Sequence, residues 1–132
     1  MTRYVIEPRV AVLLAEMGAA VPERHRLLVP TLLRSQVLAL LFAEVRAGRM
    51  SKKSASQRLD YLRGLQIRLL GDRVLQGLAW NIAHELGWQD TFVAEYLALT
   101  KLQADALVTH SPELAAAARG IVAVASVSDL IA

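Results

Sequence analysis

Short runs of strand-forming residues alternate with amphipathic segments along this chain, and this alternation constrains the fold more than any other feature. Strands separated by helices build a mostly parallel sheet that is covered on both faces. The sequence therefore predicts one three-layer α/β/α domain over residues 1–132, with a sheet of four or five strands. The predicted strands are Arg3–Glu7, His25–Pro30, Leu65–Leu70, Asp105–His110 and a short last one, Ile121–Val127.

The segments between these strands carry the apolar spacing and the terminal residues of helices. Ser51, Asp90 and Ser111 are predicted N-caps, and Gly87 and Gly120 are predicted to end helices. The predicted helices start near Val10, cover Thr31–Gly48, run from Ser51 to about Arg63, cover Asp72–Gly87 and Thr91–Gln103, and follow Ser111. The aromatic residues expected in or near the core are Trp80, Trp88, Phe92 and Tyr96.

Composition excludes several classes of protein. The chain has no cysteine, which excludes disulfides, thiolate metal sites and cysteine nucleophiles and fits a reducing compartment. Arg3, Glu7 and Arg9 interrupt the apolar residues at the N-terminus, so this segment does not have the pattern of a signal peptide. No apolar run reaches the roughly 18 residues that span a bilayer. We expect a cytoplasmic protein that does not associate with membranes.

Positive charge is concentrated in the middle of the chain. Between residues 43 and 76 there are eight lysines and arginines but only three acidic residues. Such a region attracts phosphate backbones or an acidic partner, although a solvated helical face has the same pattern. If RNA binds here, the predicted contacts are Arg46, Arg49, Lys52, Lys53 and Arg58.

Familiar enzyme signatures are absent. The stretch HELGW at His84 begins like a zinc-protease helix, but no second histidine follows at the required spacing. There is no phosphate-binding glycine loop, no dinucleotide fingerprint and no nucleophile elbow. The turn that follows the fourth predicted strand offers His110 and Ser111, with no carboxylate to hold a metal ion.

One long stretch resembles a known family. TFVAEYLALTKLQADALVTHSPELAAAARG (Thr91–Gly120) is similar to the C-terminal half of the PIN domain in VapC toxins of bacterial toxin–antitoxin pairs. These toxins typically have Y-D-A-x-Y-x-A-L-A, a short gap, and then L-V-T-x-D-x-x-L-A. YVIEPRVAV lies where the family has a strand ending in D-x-S/T, and LLVPTLLRSQVLALL where it has a strand, a proline and a helix with a glutamate.

The resemblance implies a PIN-like fold and a set of functional properties. PIN domains are usually ribonucleases that depend on magnesium or manganese, held by three or four acidic side chains at the carboxyl edge of the sheet. The metal activates water and neutralises the charge that develops on the scissile phosphate. VapC-like proteins also commonly form homodimers and bind a small antitoxin-like protein, so we expect both here.

The acidic residues of the family are mostly missing at the matching positions. Glu7 stands at the first aspartate position and is the single carboxylate retained. Gln36 replaces the helix glutamate, Val93 the next aspartate, and Ser111 the last one. Arg9 replaces the hydroxyl residue two positions after the first aspartate, and its guanidinium is predicted to pair with Glu7 in place of a metal ion.

One carboxylate holds a magnesium ion poorly, so no cofactor is expected and the acidic site is interpreted as degenerate. Thr109 and Asp90 are predicted to neighbour the pocket. The predicted function is that of a PIN-like domain which has lost ribonuclease activity and binds a partner protein or RNA. Two alternatives remain. One is an active VapC-like ribonuclease whose Mg or Mn is held by Glu7, Asp90 and Glu113; the other is an unrelated α/β binding or signalling domain.

Overall fold

All five strands join one parallel sheet, as expected for strands separated by helices. In the computed structural model, which describes residues 1–132, the strand order is β3-β2-β1-β4-β5. The strands are β1 (Thr2–Ile6), β2 (His25–Pro30), β3 (Ile67–Leu70), β4 (Ala106–Val108) and β5 (Val124–Ala125). The helices are α1 (Pro8–Met17), α2 (Leu33–Arg46), α3 (Lys52–Gly64), α4 (Arg73–Leu86), α5 (Phe92–Gln103), α6 (Pro112–Ala118) and α7 (Val127–Ile131). The predicted three-layer α/β/α fold is confirmed.

The central strand explains why the apolar runs of the sequence are nearly continuous. Tyr4 of β1 is the register partner of Leu27 on one side and of Ala106 on the other. Val5 and Ile6 are completely buried, because helices cover both faces of the sheet. Since all pairs are parallel, the carboxyl ends of the strands meet at one edge, where ligand sites of such sheets lie.

Most predicted helix ends are confirmed by their hydrogen bonds. Ser51 caps α3 by accepting from the backbone N–H of Ser54, and Ser111 caps α6 in the same way. Gly87 ends α4 in the left-handed conformation, with φ of 69°. Asp90 accepts a hydrogen bond from the Phe92 N–H, but the residue at the N-cap of α5 is Thr91.

One prediction about the C-terminal part of the chain is confirmed and one is wrong in detail. Helix α6 ends at Ala118 with Arg119 as its C-cap, directly before the predicted stop residue Gly120. The last strand is shorter than Ile121–Val127, because Ser126 and Asp129 form a capping box that starts α7. Strand pairing is therefore limited to the two residues of β5.

Two of the predicted core aromatics lie at the surface. Trp80 is 69% exposed and Phe92 is 52% exposed, whereas Tyr96 is buried. Trp88 is half-buried and packs against the core. The side of α4 that faces the core is formed by small and branched residues such as Ala79 and Ile82, and Trp80 lies outside that side. None of the helices has both the length and the apolarity needed to span a bilayer.

Candidate functional site

A cavity of about 410 Å³ lies at the carboxyl edge of the sheet and contains three of the four predicted site residues. Glu7 follows β1, Gln36 comes from α2 and Val93 from the first turn of α5. The cavity is mainly apolar, and its remaining lining residues are Pro8, Arg9, Ala39, Leu40, Ala43, Tyr96 and Leu114. The structure therefore brings these three positions together, but it does so around an apolar space.

The Glu7 carboxylate is the N-cap of α1. Its Oε1 accepts a hydrogen bond of 2.8 Å from the backbone N–H of Val10, and Pro8 occupies the first turn, where it displaces no hydrogen bond. Glu7 is buried, and this burial raises the pKa of its carboxyl above the usual value. The hydrogen bond from Val10 and the electrostatic effects of His110 and Arg9 oppose the rise in pKa without cancelling it.

The predicted ion pair between Arg9 and Glu7 does not form. The two ion pairs of the structure are Arg49–Glu44 and Arg63–Asp60. Arg9 lies in the first turn of α1, and its side chain is exposed. The Glu7 carboxylate instead accepts from the backbone N–H of Val10 at the amino end of that helix. The charge of Glu7 is thus compensated mainly by a helix N-terminus and not by a guanidinium group.

Gln36 is held by a partner that the sequence did not reveal. The hydroxyl of Tyr96 donates a hydrogen bond of 2.7 Å to Gln36 Oε1, which joins α5 to α2 beside the cavity. Burial, and then the negative charges of Glu7 and Glu95, raise the pKa of Tyr96 far above its usual value, so the phenol remains a donor. Tyr96 lies one helical turn after Val93 on α5. This three-residue spacing is the feature of the sequence that predicts that both side chains face the same site.

The two remaining acidic positions of the family have no free oxygen for a metal ion. Val93 is 39% exposed and apolar. Ser111 is not among the residues that line the cavity; its Oγ caps α6 and donates to Glu113 at 3.2 Å. Thr109, predicted beside the pocket, is buried and its Oγ1 accepts a hydrogen bond from the Ser111 N–H.

These residues do not fit a divalent metal ion. Magnesium and manganese prefer several carboxylate and carbonyl oxygens in a nearly octahedral arrangement. No group of three His, Asp or Glu side chains is placed to hold a metal ion. The alternative set of Glu7, Asp90 and Glu113 is therefore not assembled, because only Glu7 lines the cavity. Asp90 accepts a hydrogen bond from Phe92, and Glu113 accepts one from Ser111.

A second cavity, of about 490 Å³, forms an apolar groove between α2, α3 and β3. Its lining is mostly leucine, isoleucine and valine, including Val37, Leu62 and Leu69. Leu38, which also lines it, is 56% exposed, and Phe42, one turn further along α2, is 65% exposed. The groove and Phe42 together form an apolar surface on this side of the protein, and we call them the α2–α3 groove.

The predicted basic region is partly neutralised. Arg49 forms a bidentate ion pair with Glu44, in which Nε donates to Oε2 at 2.8 Å and Nη2 donates to Oε1 at 3.1 Å. Arg58 is half-buried and donates to the sulfur of Met50. Of the five predicted RNA contacts, Arg46, Lys52 and Lys53 remain exposed without an ion pair.

Comparison with solved structures shows which fold these elements form. The protein PAE2754 from Pyrobaculum aerophilum matches with a TM-score of 0.77 and 24% identity, over 98% of this chain and 93% of the other. VapBC2 from Rickettsia felis, solved with a DNA fragment from its promoter, matches with a TM-score of 0.57 and 14% identity, over 94% of this chain and 98% of the other. No protein-family model matches the sequence, and no curated protein does.

The likeness to VapBC2 shows that the chain has a PIN-like fold, as the motif resemblance implied. At identities this low the similarity establishes the fold alone, so function has to be argued from the residues of the site.

Proposed function

We propose that this chain is a PIN-like domain which does not use a divalent metal ion to cleave RNA and which acts by binding a small partner protein. The cavity at the carboxyl edge carries the first part of this proposal. Of the four positions at which the family has acidic residues, the cavity retains one carboxylate, and that carboxylate of Glu7 is used to cap α1.

The energetics of ion binding support the loss of metal chemistry. A magnesium ion gives up its hydration water reluctantly and needs closely placed anionic oxygens in exchange. Here Gln36 is neutral and already accepts from Tyr96, and Val93 offers a methyl surface. Burial also raises the pKa of Glu7, which means that the surroundings disfavour even the one negative charge that is present.

The α2–α3 groove supports the second part of the proposal. Leu38 and Phe42 lie one helical turn apart and expose more than half of their surface beside an apolar groove. Contiguous apolar surface of this kind marks protein interaction sites, and a groove between helices suits an apolar helix of a partner. The VapC resemblance implies a small antitoxin-like protein as that partner.

RNA binding by the basic region is the second candidate function. Its five predicted contacts include Arg49, which is paired with Glu44, and Arg58, which is turned toward Met50. Two of the five guanidinium and ammonium groups are thus engaged within the protein. This observation favours the partner protein over RNA as the ligand of the α2–α3 side.

An RNA cleavage assay in the presence of Mg²⁺ or Mn²⁺ tests the proposal. We expect no cleavage above the level of a buffer control at millimolar metal. As a matched control, the variant Glu7→Gln is purified and assayed in the same way, because contaminating nuclease would give equal cleavage in both samples. Metal-dependent cleavage by the natural chain that disappears in Glu7→Gln would overturn the proposal.

A further inference from the structure

Three arginines lie together at the amino edge of the sheet, opposite the Glu7 cavity. Arg3 of β1 and Arg26 of β2 are register partners, so they are neighbours on adjacent strands. Arg68 of β3 is paired with Leu28, which follows Arg26 by two residues. Register partners in a parallel sheet, and residues two apart on one strand, project from the same face. All three arginines are therefore on one face of the sheet.

These arginines surround an open cavity of about 690 Å³. Its lining also includes the amides of Gln66 and Gln103 but contains no acidic residue. All three arginines are exposed, and none takes part in an ion pair. The two ion pairs of the protein are Arg49–Glu44 and Arg63–Asp60. We call this group the β-edge arginine cluster.

The negative groups nearby do not balance the cluster. The Asp105 carboxylate accepts from the backbone N–H of Arg3 at 2.8 Å and does not pair with a guanidinium. The carboxyl end of α5 is at this edge, since Gln103 lines the cavity, and it contributes only about half a negative charge. Three full positive charges therefore exceed the negative charge around them, which favours binding of an anion.

We propose that the β-edge arginine cluster binds the phosphate groups of a nucleic acid strand. The planar guanidinium group matches phosphate oxygens with two parallel hydrogen bonds. The cluster extends over three adjacent strands, and two inter-strand spacings amount to about 10 Å. A chain of phosphates covers that length, whereas a single phosphate ion contacts only one end of it. Gln66 and Gln103 add donors and acceptors beside the path of the strand.

This inference is independent of the proposed function. The cluster is at the opposite edge of the sheet from the Glu7 cavity, and none of its three arginines lines the α2–α3 groove, although Ile67 lines both cavities. A protein with no metal site can still hold RNA or DNA here, and failure of one proposal leaves the other standing.

Fluorescence anisotropy with a labelled single-stranded RNA of about 12 nucleotides, a length that a small binding groove covers, tests the proposal. The test variant is Arg3→Gln/Arg26→Gln/Arg68→Gln. The control variant, Arg34→Gln/Arg73→Gln/Arg119→Gln, removes the same charge from exposed positions outside the cavity. Circular dichroism verifies that both variants are folded.

We expect the test variant to bind RNA at least about tenfold more weakly than the control variant, since each phosphate contact to a charged group contributes more than an ordinary hydrogen bond. The dependence of log K on log salt concentration has an expected slope of about −2 for three contacts to a single strand, and the test variant loses this slope. The same loss is expected with a DNA strand of equal length.

Three further probes test whether the cluster binds anions other than a nucleic acid strand. Inorganic pyrophosphate is expected to compete with the RNA only weakly, and poly-glutamate and vesicles of phosphatidylserine are expected not to compete. Equal weakening of RNA binding in the two triple variants would overturn the proposal, because net charge alone would then explain binding. So would tight binding of pyrophosphate, poly-glutamate or the vesicles without binding of RNA.

Discussion

The hydroxyl of Tyr96 donates a 2.7 Å hydrogen bond to Gln36 Oε1, and this bond joins α5 to α2 beside the cavity that contains Glu7. In a metal-dependent PIN domain the position of Gln36 carries a glutamate, as the family resemblance implies. Here its oxygen is instead the acceptor for a buried phenol. The same atoms that would serve a metal ion therefore hold two helices together.

Removal of this phenol is expected to destabilise the protein. Tyr96→Phe leaves Gln36 Oε1 without its partner in a half-buried position, and we expect a loss of about 1 kcal/mol in the free energy of unfolding, measured with urea. A double-mutant cycle with Gln36→Leu is the control. If the bond is responsible, the double variant loses less than the sum of the two single losses; strict additivity would contradict this role.

The buried Glu7 carboxyl is expected to make stability depend on pH. Its folded-state pKa is raised, so the folded protein binds more protons than the unfolded chain between the ordinary carboxyl pKa of 4.5 and the raised value. The contribution of Glu7 to stability is then most favourable below the unfolded pKa and decreases as pH rises through this window. Glu7→Gln removes that dependence, so its stability relative to the natural protein rises with pH.

Glu44→Gln is the control, because the pKa of Glu44 is shifted in the opposite direction to that of Glu7. The hydrogen bond and charge of Arg49 lower the pKa of Glu44, so its contribution to stability is present above the unfolded pKa and is lost as pH falls through the folded pKa. Urea unfolding at several pH values between acid and neutral compares the two variants. An equal pH dependence of Glu7→Gln and the natural protein would show that the folded-state pKa of Glu7 is not raised.

The α2–α3 groove is expected to be the binding surface for a small partner protein. Leu38→Glu/Phe42→Glu places two charges on the exposed apolar part of α2, which opposes docking of an apolar helix. Co-purification with a small protein encoded next to this chain measures the effect, and we expect the complex to be lost. Met17→Glu, at a residue of α1 that is 50% exposed, is the control and is expected to retain the complex. Retention of the complex by the double variant would exclude the groove.

A homodimer is expected, and Trp80 is the residue we assign to its interface. Trp80 is 69% exposed, and large exposed aromatics are enriched at the centres of protein interfaces. Light scattering at micromolar concentration is expected to give the mass of a dimer for the natural protein and of a monomer for Trp80→Glu. Leu86→Glu, later on the same helix, is the matched control. A monomer mass for the natural protein would contradict this prediction.

Local signals in the sequence predicted the elements of the fold well. Ser51 and Gly87 mark their helix ends by short-range chemistry, which does not depend on the rest of the protein. The pattern Ser126-x-x-Asp129 was also a local signal for α7, but the β-branched residues before it favoured a longer strand. The exposure of Trp80 depends on which side of α4 packs against the sheet, and tertiary packing decides that.

Relationships within the site were harder to predict, because they depend on side-chain direction and strand register. Arg9 was expected to pair with Glu7, but a proline after Glu7 starts a helix, and the carboxylate then binds the N–H of Val10. The alignment of Arg3 with Arg26 follows from register, which no short stretch of sequence reveals. The positions of Glu7, Gln36 and Val93 in one cavity agree with the family motif that suggested them.

Isothermal titration calorimetry with Mg²⁺ and Mn²⁺ tests the central claim most directly. We expect no binding to the natural protein at millimolar metal. The variant Gln36→Glu/Val93→Asp/Ser111→Asp is expected to bind because it places two acidic side chains in the cavity and a third at the N-cap of α6, whose Leu114 lines the cavity. An aspartate in place of Ser111 can still cap α6. Addition of Arg9→Ser is expected to strengthen binding by removing a positive charge from the cavity. Stoichiometric binding of either metal by the natural protein, at millimolar affinity or tighter, would contradict the claim that this PIN-like site has lost its metal.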